Sequence, residues 1–300
     1  MLAGCASEPE PQLPRESPSL EGIAIFPPDN PWNTRVDGEP VDPDSDAIIA
    51  SIGLDTPLHA DFGADWNGGP FGIPYVVGGG DQPRVPVRFE YADESDPGPY
   101  PIPPDAPIEG GAGADGDRHV LIVDRDARRL YELFAAYPDG DGWRAGSGAV
   151  FDLTSNALRP AGWTSADAAG LPILPGLARY DEAASAEGIR HALRFTARRT
   201  RRAYVSPARH FASSSTDPAL PPMGMRVRLK ASVDLSDYPP QARAVLEALR
   251  TYGMLLADNG SDWYISGAPD ARWSDDDLRA LARITGRDLE VVRMGPLTTE

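Results

Sequence analysis

HVLIVDRDARRLYELFAAYPDGDGWRAGSGAVFDL, residues 119–153, is the most regular stretch of the chain. Val120–Val123 is a short apolar run with no polar interruption, as in a strand buried on both faces. Asp124-Arg125-Asp126-Ala127 supplies a turn, Leu130–Tyr137 alternates in part, and Pro138–Gly142 makes a second turn. Trp143 then opens a strand that runs on through Gly148–Leu153. Short apolar runs joined by such turns predict an antiparallel meander. Outside this stretch, 32 prolines and 30 glycines keep the apolar runs short, which disfavours helical bundles and repeats. The fold expected is mainly β: an antiparallel sandwich or jelly-roll-like core with three or four peripheral helices, forming one domain over residues 22–300 behind a tether, residues 1–21.

The helices have local signatures. Asp42-Pro43 predicts an N-cap and first helical position for a helix over Asp44–Ile52, stopped by Gly53. Pro240–Tyr252 presents Val245, Leu246, Leu249 and Tyr252 on one side, with Gly253 as its stop. Ser274 followed by Asp277 predicts the start of a last helix. Further strands are expected at Ile23 onward, Ile73–Val77, Val85–Tyr91, Met225–Ala231 and Leu289–Val292. Another should place Ile189, His191, Leu193 and Phe195 on one face. Asn259-Gly260, between two apolar runs, predicts a hairpin. The Pro-rich segment 93–111 reads as an extended surface cover or connector.

A net charge of −17 argues against nucleic acid as a partner. One local exception is RFTARRTRR, residues 194–202, which is either a solvated face balanced by nearby carboxylates or a basic groove for an acidic ligand. The single cysteine, Cys5, excludes an intramolecular disulfide and thiol-ligated zinc. Its context, Leu2-Ala3-Gly4-Cys5, has the form of a bacterial lipidation site, and the Pro/Glu/Ser-rich residues after it suit a tether. The expected location is extracytoplasmic, secreted or held to the envelope membrane only by a lipid at Cys5. No phosphate loop, dinucleotide fingerprint, Gly-x-Ser-x-Gly elbow or His-Glu-x-x-His helix is present. No cofactor and no metal site is expected, and a monomer is.

From Asp152 to Glu182 the sequence turns into a long loop that carries Asn156, Arg159, Trp163 and Asp167 among small residues and prolines. Its apolar content argues for order, and a loop of this length in a compact domain points to function. A second polar-aromatic loop holds His59, Asp61 and Trp66. Tryptophan beside Asp and Asn in Gly-rich loops suits sugars, whose C–H faces meet flat rings while amides and carboxylates take the hydroxyls. The catalytic candidates are Asp152, Asp167 and His210. The binding candidates are His59, Asp61, Trp66, Asn156, Trp163, His191, Arg194 and Arg209. Hydrolysis would use Asp152 and Asp167 as a carboxyl pair. Elimination from a uronate would use His210 as base and Arg209 or Arg194 as the carboxylate clamp.

NPWNT (30–34), DESDPGPYPIP (93–103), SGAVFDLTSNALRPAGWTSADAAGLPILPGL (147–177) and LADNGSDWYISG (256–267) together resemble a group of secreted or lipid-anchored bacterial proteins. The resemblance spans roughly residues 25–295 and implies an extracytoplasmic location. It brings no assigned reaction and no catalytic residue. The sequence therefore supports an extracytoplasmic enzyme that cleaves a polysaccharide, as a lyase or a glycoside hydrolase, with a non-catalytic glycan-binding or structural envelope protein as the alternative.

Overall fold

A computed structural model describes residues 14–299; Cys5 lies outside them. The fold is mainly β with four short α-helices, Ser45–Ile52, Tyr180–Ala183, Pro240–Thr251 and Asp275–Arg279. Two sheets organise it. The four-stranded sheet runs Ser147–Asp152, Arg129–Phe134, Val120–Asp124, Tyr75–Gly78. The six-stranded sheet runs His59–Asp61, Tyr264–Ser266, Leu193–Ala197, Met254–Asn259, Arg226–Leu229, Leu289–Val291. Pairing is mixed where antiparallel strands were expected. The meander is antiparallel, but Tyr75–Gly78 joins its edge in parallel, and Leu193–Ala197 runs parallel to Met254–Asn259. Long connections carry the chain across to these parallel partners, as parallel pairing requires.

Two local readings change. The Asn259-Gly260 turn does not close a hairpin, because Leu193–Ala197 lies between the two strands it joins and pairs with both. Gly260 and Trp263 instead donate their amides to Ala197 and Thr196, at 3.2 Å each. The strand expected to carry Ile189 and His191 begins only at Leu193, after Gly188 takes a left-handed φ of 66°. Residues 23–26 form no strand.

Strand register sorts the six-stranded sheet into unlike faces. Leu193, Phe195, Met254, Val227 and Val291 share the apolar face, and the helices Ser45–Ile52 and Pro240–Thr251 contribute Ile48, Ile49, Val245 and Leu249 to the same core. Arg194, Thr196, Tyr264, Ser266, His59, Asp61, Asp258, Arg226 and Arg228 lie on the other face. An alternation this polar would ordinarily face water. Here residues 31–39 cover part of it, with their carbonyls accepting from Arg226 and Arg228.

The second half of the long loop covers another part, leaving the His59 end open, and is itself buried. Leu171, Ile173, Leu174, Leu177 and Ala178 are at most 1% exposed, wedged between the two sheets. Glu132, on the four-stranded sheet, accepts the amides of Ile173 and Leu174 at 2.9–3.0 Å. Ala178 forms a bridge to Gly267 beside the six-stranded sheet. The loop is thus a layer of the core, held by side chains in place of a strand ladder. Gly176 shows how closely it is packed: a Cβ there would lie 2.7 Å from the Arg194 Cβ and 2.7 Å from the Trp32 ring. Gly176→Ala is expected to cost about 1–3 kcal/mol, read as a lower urea midpoint; an unchanged midpoint would mean the layers can part freely.

The Pro-rich segment covers the outer face of the four-stranded sheet. Tyr100 and Ile102 pack with Val120, Ile122, Tyr131 and Leu133 in a second core cluster. Residues 15–18, expected to be tether, are held against the domain. Ser17 donates to Asp270 and Pro269, and the Tyr75 hydroxyl donates to the Pro18 carbonyl at 2.6 Å.

Candidate functional site

The polar face of the six-stranded sheet and the start of the buried loop meet in one cluster of charges. Asp167 is completely buried and takes both carboxylate oxygens to Arg194, at 2.7 Å each. Its backbone is fixed by Ser165, whose Oγ accepts the Asp167 amide at 2.9 Å and donates to the Leu171 carbonyl. Arg194 also donates to Ser266 Oγ, one strand away. A planar guanidinium held on three sides by acceptors is a saturated group. The Asp167 and Asp258 carboxylates raise its pKa further, against the effect of burial.

Asp258 completes the cluster from the end of its strand. Its carboxyl lies 3.6 Å from Arg194, accepts the Asn259 amide at 2.7 Å, and keeps 22% of its side chain in contact with solvent. Burial and the facing Asp167 carboxylate push it up to about 7, with Arg194 opposing. A carboxyl that reaches solvent and titrates near neutrality can give or take a proton under physiological conditions.

His210 stands beside this pair through a short backbone relay. Ala169 donates its amide to Ala257, next to Asp258, and its carbonyl accepts the amides of Arg209 and His210. His210 Nδ1 is 2.7 Å from the Ala168 carbonyl, so Nδ1 carries the hydrogen. Nε2 is left without a protein partner among the described residues. Gly170, at φ 69°, permits the approach: a Cβ there would meet the Trp163 carbonyl at 2.5 Å and the Arg209 Cβ at 3.2 Å.

Two further groups support the cluster from the four-stranded sheet. His119 places Nδ1 2.6 Å from Glu109 and Nε2 3.0 Å from the Ala166 carbonyl. Both ring nitrogens face acceptors, as an imidazolium requires. Burial would lower its pKa, but Glu109 outweighs burial and raises it to about 9. His119 therefore fixes Ala166, next to Asp167, and is not a free base. Glu132 is fully buried and pushed up to about 7 by burial, opposed by the Leu174 and Ile173 amides. On the open part of the same sheet face, His59 stacks on Tyr264 with centroids 4.1 Å apart. Asp61, beside them, is solvent-accessible but ringed by protein, and burial raises its pKa.

Of the residues singled out in the sequence, Asp167, Arg194, His210 and Arg209 thus fall together, with His59 and Asp61 on the same sheet face. Others lie apart. Asp152 caps its own turn, accepting the Thr154 hydroxyl and amide, which hold its carboxyl below the ordinary range. It stays ionised and is no partner for Asp167. Asn156 ties the loop to Asp29 and Asn30. Trp163 packs beside the Arg159 guanidinium, 5.5 Å away, and Trp66 stands on a separate hairpin with Phe71.

His191 belongs to a different feature, an open cleft of about 1150 Å³ lined by Tyr75, Tyr180, Tyr252 and residues 17–28. There its Nε2 is 3.0 Å from both Glu182 and Arg179. Burial would raise Glu182, but Arg179 and His191 outweigh it and hold the carboxyl at about 2. The sequence missed Asp258, Tyr264 and Phe211. Asp258 was hidden inside a turn motif.

These shifts set the pH dependence of stability. Glu132 and Asp258 ionise near 4.5 and 3.8 when unfolded but at about 7 in the fold, so stability falls as pH rises through that interval. His119 stabilises fully below 6.5, and that contribution is lost as pH rises through about 9. Glu182 stabilises above 4.5, and its contribution is lost as pH falls toward 2. Maximum stability is expected at about pH 4, where the gain from Glu182 and the losses from Glu132 and Asp258 balance. Urea midpoints measured across the acid and alkaline ranges check this; a maximum at about pH 8 would contradict the protonation states described.

No protein-family model, curated protein or solved structure matches the chain.

Proposed function

We propose that this protein is an extracytoplasmic enzyme that cleaves a polysaccharide by general acid–base chemistry at the His210–Asp258 site. The observation that carries the reading is the pairing of unlike proton carriers on one short backbone relay. His210 holds Nδ1 on the Ala168 carbonyl and turns Nε2 toward no protein partner among the described residues, and Asp258 offers a carboxyl that holds its proton up to about 7. Pairs whose environments push them toward opposite roles divide the work of base and acid. Asp167 and Arg194 form the base plate: burial against it, together with the Asp167 carboxylate, keeps Asp258 protonated while Arg194 opposes the shift, and both are too buried to touch substrate. The His59–Tyr264 stack lies in the same cross-strand row as Thr196 and Asp258, two strands from Asp258. At a strand spacing of about 4.8 Å, that leaves about 10 Å, room for one sugar ring between platform and acid.

Lipid attachment at Cys5 and an extracytoplasmic site of action belong to the same proposal, supported by the lipidation-type sequence around Cys5. Among the described residues no helix is long and apolar enough to cross a membrane. The test is a panel of polysaccharides incubated with purified protein, recording new reducing ends and the ultraviolet absorbance of unsaturated uronates. Either product supports the reading. Saturable binding without any product across the panel would favour a glycan-binding protein instead.

A further inference from the structure

We infer that the site takes an anionic glycan, recognised by an arginine rim formed by Arg198, Arg199, Arg202 and Arg209 beside His210. The inference takes the substrate class of the acid–base site one step further, and only its elimination step rests on that reading.

The chain carries 45 acidic against 28 basic residues, so exposed arginines find carboxylates easily. Arg35, Arg88, Arg190, Arg279 and Arg287 each sit on one. Others, such as Arg125, Arg129, Arg144 and Arg293, are exposed with no such partner among the described residues. They are scattered over the surface, whereas the run after the central strand gathers several at one place. Arg198, Arg199, Arg201, Arg202 and Arg209 have no carboxylate within 4.0 Å among the described residues. The nearby acids Asp262 and Asp217 turn to the backbone amides of Arg198 and Ala219. Arg198, Arg199 and Arg202 are exposed. Several guanidinium groups clustered without carboxylates make a local positive patch on a protein of net charge −17, and such a patch attracts an external anion.

Their position ties that anion to the site. Arg202 lies over the Phe211 ring at 5.7 Å, and Phe211 stacks on His210 at 6.0 Å with an interplanar angle of 10°. Thr200 Oγ1 accepts from Asn259 Nδ2 at 3.0 Å, next to Asp258, so the rim, the base and the acid share one wall. Arg209 spends only its Nε, on the Arg159 carbonyl, leaving its two terminal nitrogens available. Arg194 cannot serve, because Asp167 and Ser266 already occupy it. A uronate carboxylate on Arg209 and Arg202 would have its charge balanced and the proton on its α-carbon made more acidic. His210 Nε2 takes that C5 proton, the C4–O bond breaks as the C4=C5 bond forms, and the Asp258 proton passes to the departing oxygen. The base and acid end the step protonated and ionised respectively, with no co-reactant required.

Binding and cleavage are measured separately on the full chain, with polygalacturonate, alginate and heparin as anionic probes and dextran and mannan as neutral ones. Expected are salt-sensitive binding of at least one anionic probe, none of the neutral ones, and an affinity loss of at least about tenfold in the R198Q/R199Q/R202Q variant. The charge-retaining R198K/R199K/R202K variant should recover much of that loss, which separates charge from folding. Preference for a neutral probe, or equal affinity for single-stranded DNA, overturns the inference. Cleavage of a neutral probe with no anionic binding would sink it and leave the acid–base reading standing. Anionic binding without cleavage would uphold the rim and remove the catalytic reading.

Discussion

Arg194→Met is expected to destabilise the fold by about 3–5 kcal/mol, the cost of leaving a buried carboxylate without its cation. Asp167 is fully buried and has no other cation at bonding distance among the described residues. Nothing in the loop can replace the guanidinium, because Gly176 already packs against the Arg194 Cβ. The double variant Asp167→Leu/Arg194→Met removes both charges and should recover most of the loss, since an apolar pair of similar volume dispenses with the desolvation penalty. Urea titrations of both variants measure the difference. A single variant within about 1 kcal/mol of the parent would show that water reaches Asp167 and that the base plate is not dry.

Asp258→Asn and His210→Asn are expected to lower turnover on whichever polysaccharide is cleaved by roughly 10²–10⁴-fold, the range a positioned acid or base contributes. Stability should move in a revealing way. Asn cannot ionise, so Asp258→Asn should match or exceed the parent above pH 7, where the parent bears the cost of a charged Asp258 facing Asp167. His210→Asn should leave stability near the parent's, because the ring is half-exposed and makes a single hydrogen bond. Loss of turnover with KM retained locates both groups in the chemical step. If Asp258→Asn kept full activity, the proton carrier would have to be sought at Asp61, the other solvent-accessible carboxyl raised by burial.

Local signals in the sequence proved readable where the physics is local. Val120–Val123 is a fully buried strand, Pro240–Thr251 is a helix, and Ser274 Oγ accepts the Asp277 amide as a cap. The cap at the first helix shifted: Asp44 occupies the N-cap position, while Asp42 accepts the Asp44 and Met294 amides. Pairing between distant strands was not readable, and the Asn259-Gly260 turn was misassigned for that reason. Its two apolar flanks look like a hairpin until a strand from elsewhere in the chain enters between them. The site divided the same way. Asp167, Arg194 and His210 carried enough chemistry to be noticed singly. That Asp167 and Arg194 pair with each other, and that burial beside Asp167 makes Asp258 the proton carrier, depends on contacts no periodicity encodes.

The interposed strand Leu193–Ala197 also has a consequence for biosynthesis. A chain emerging from the ribosome presents this fully buried strand with both flanking places empty until Met254–Asn259 and Tyr264–Ser266 have been made. During that interval its two bare edges offer unpaired amides and carbonyls to any passing strand. A chain stopped at Gly253 would keep that hazard permanently and should be recovered only as aggregate, so the residues from Met254 onward act as the closing piece of its most vulnerable sheet rather than as an appendage.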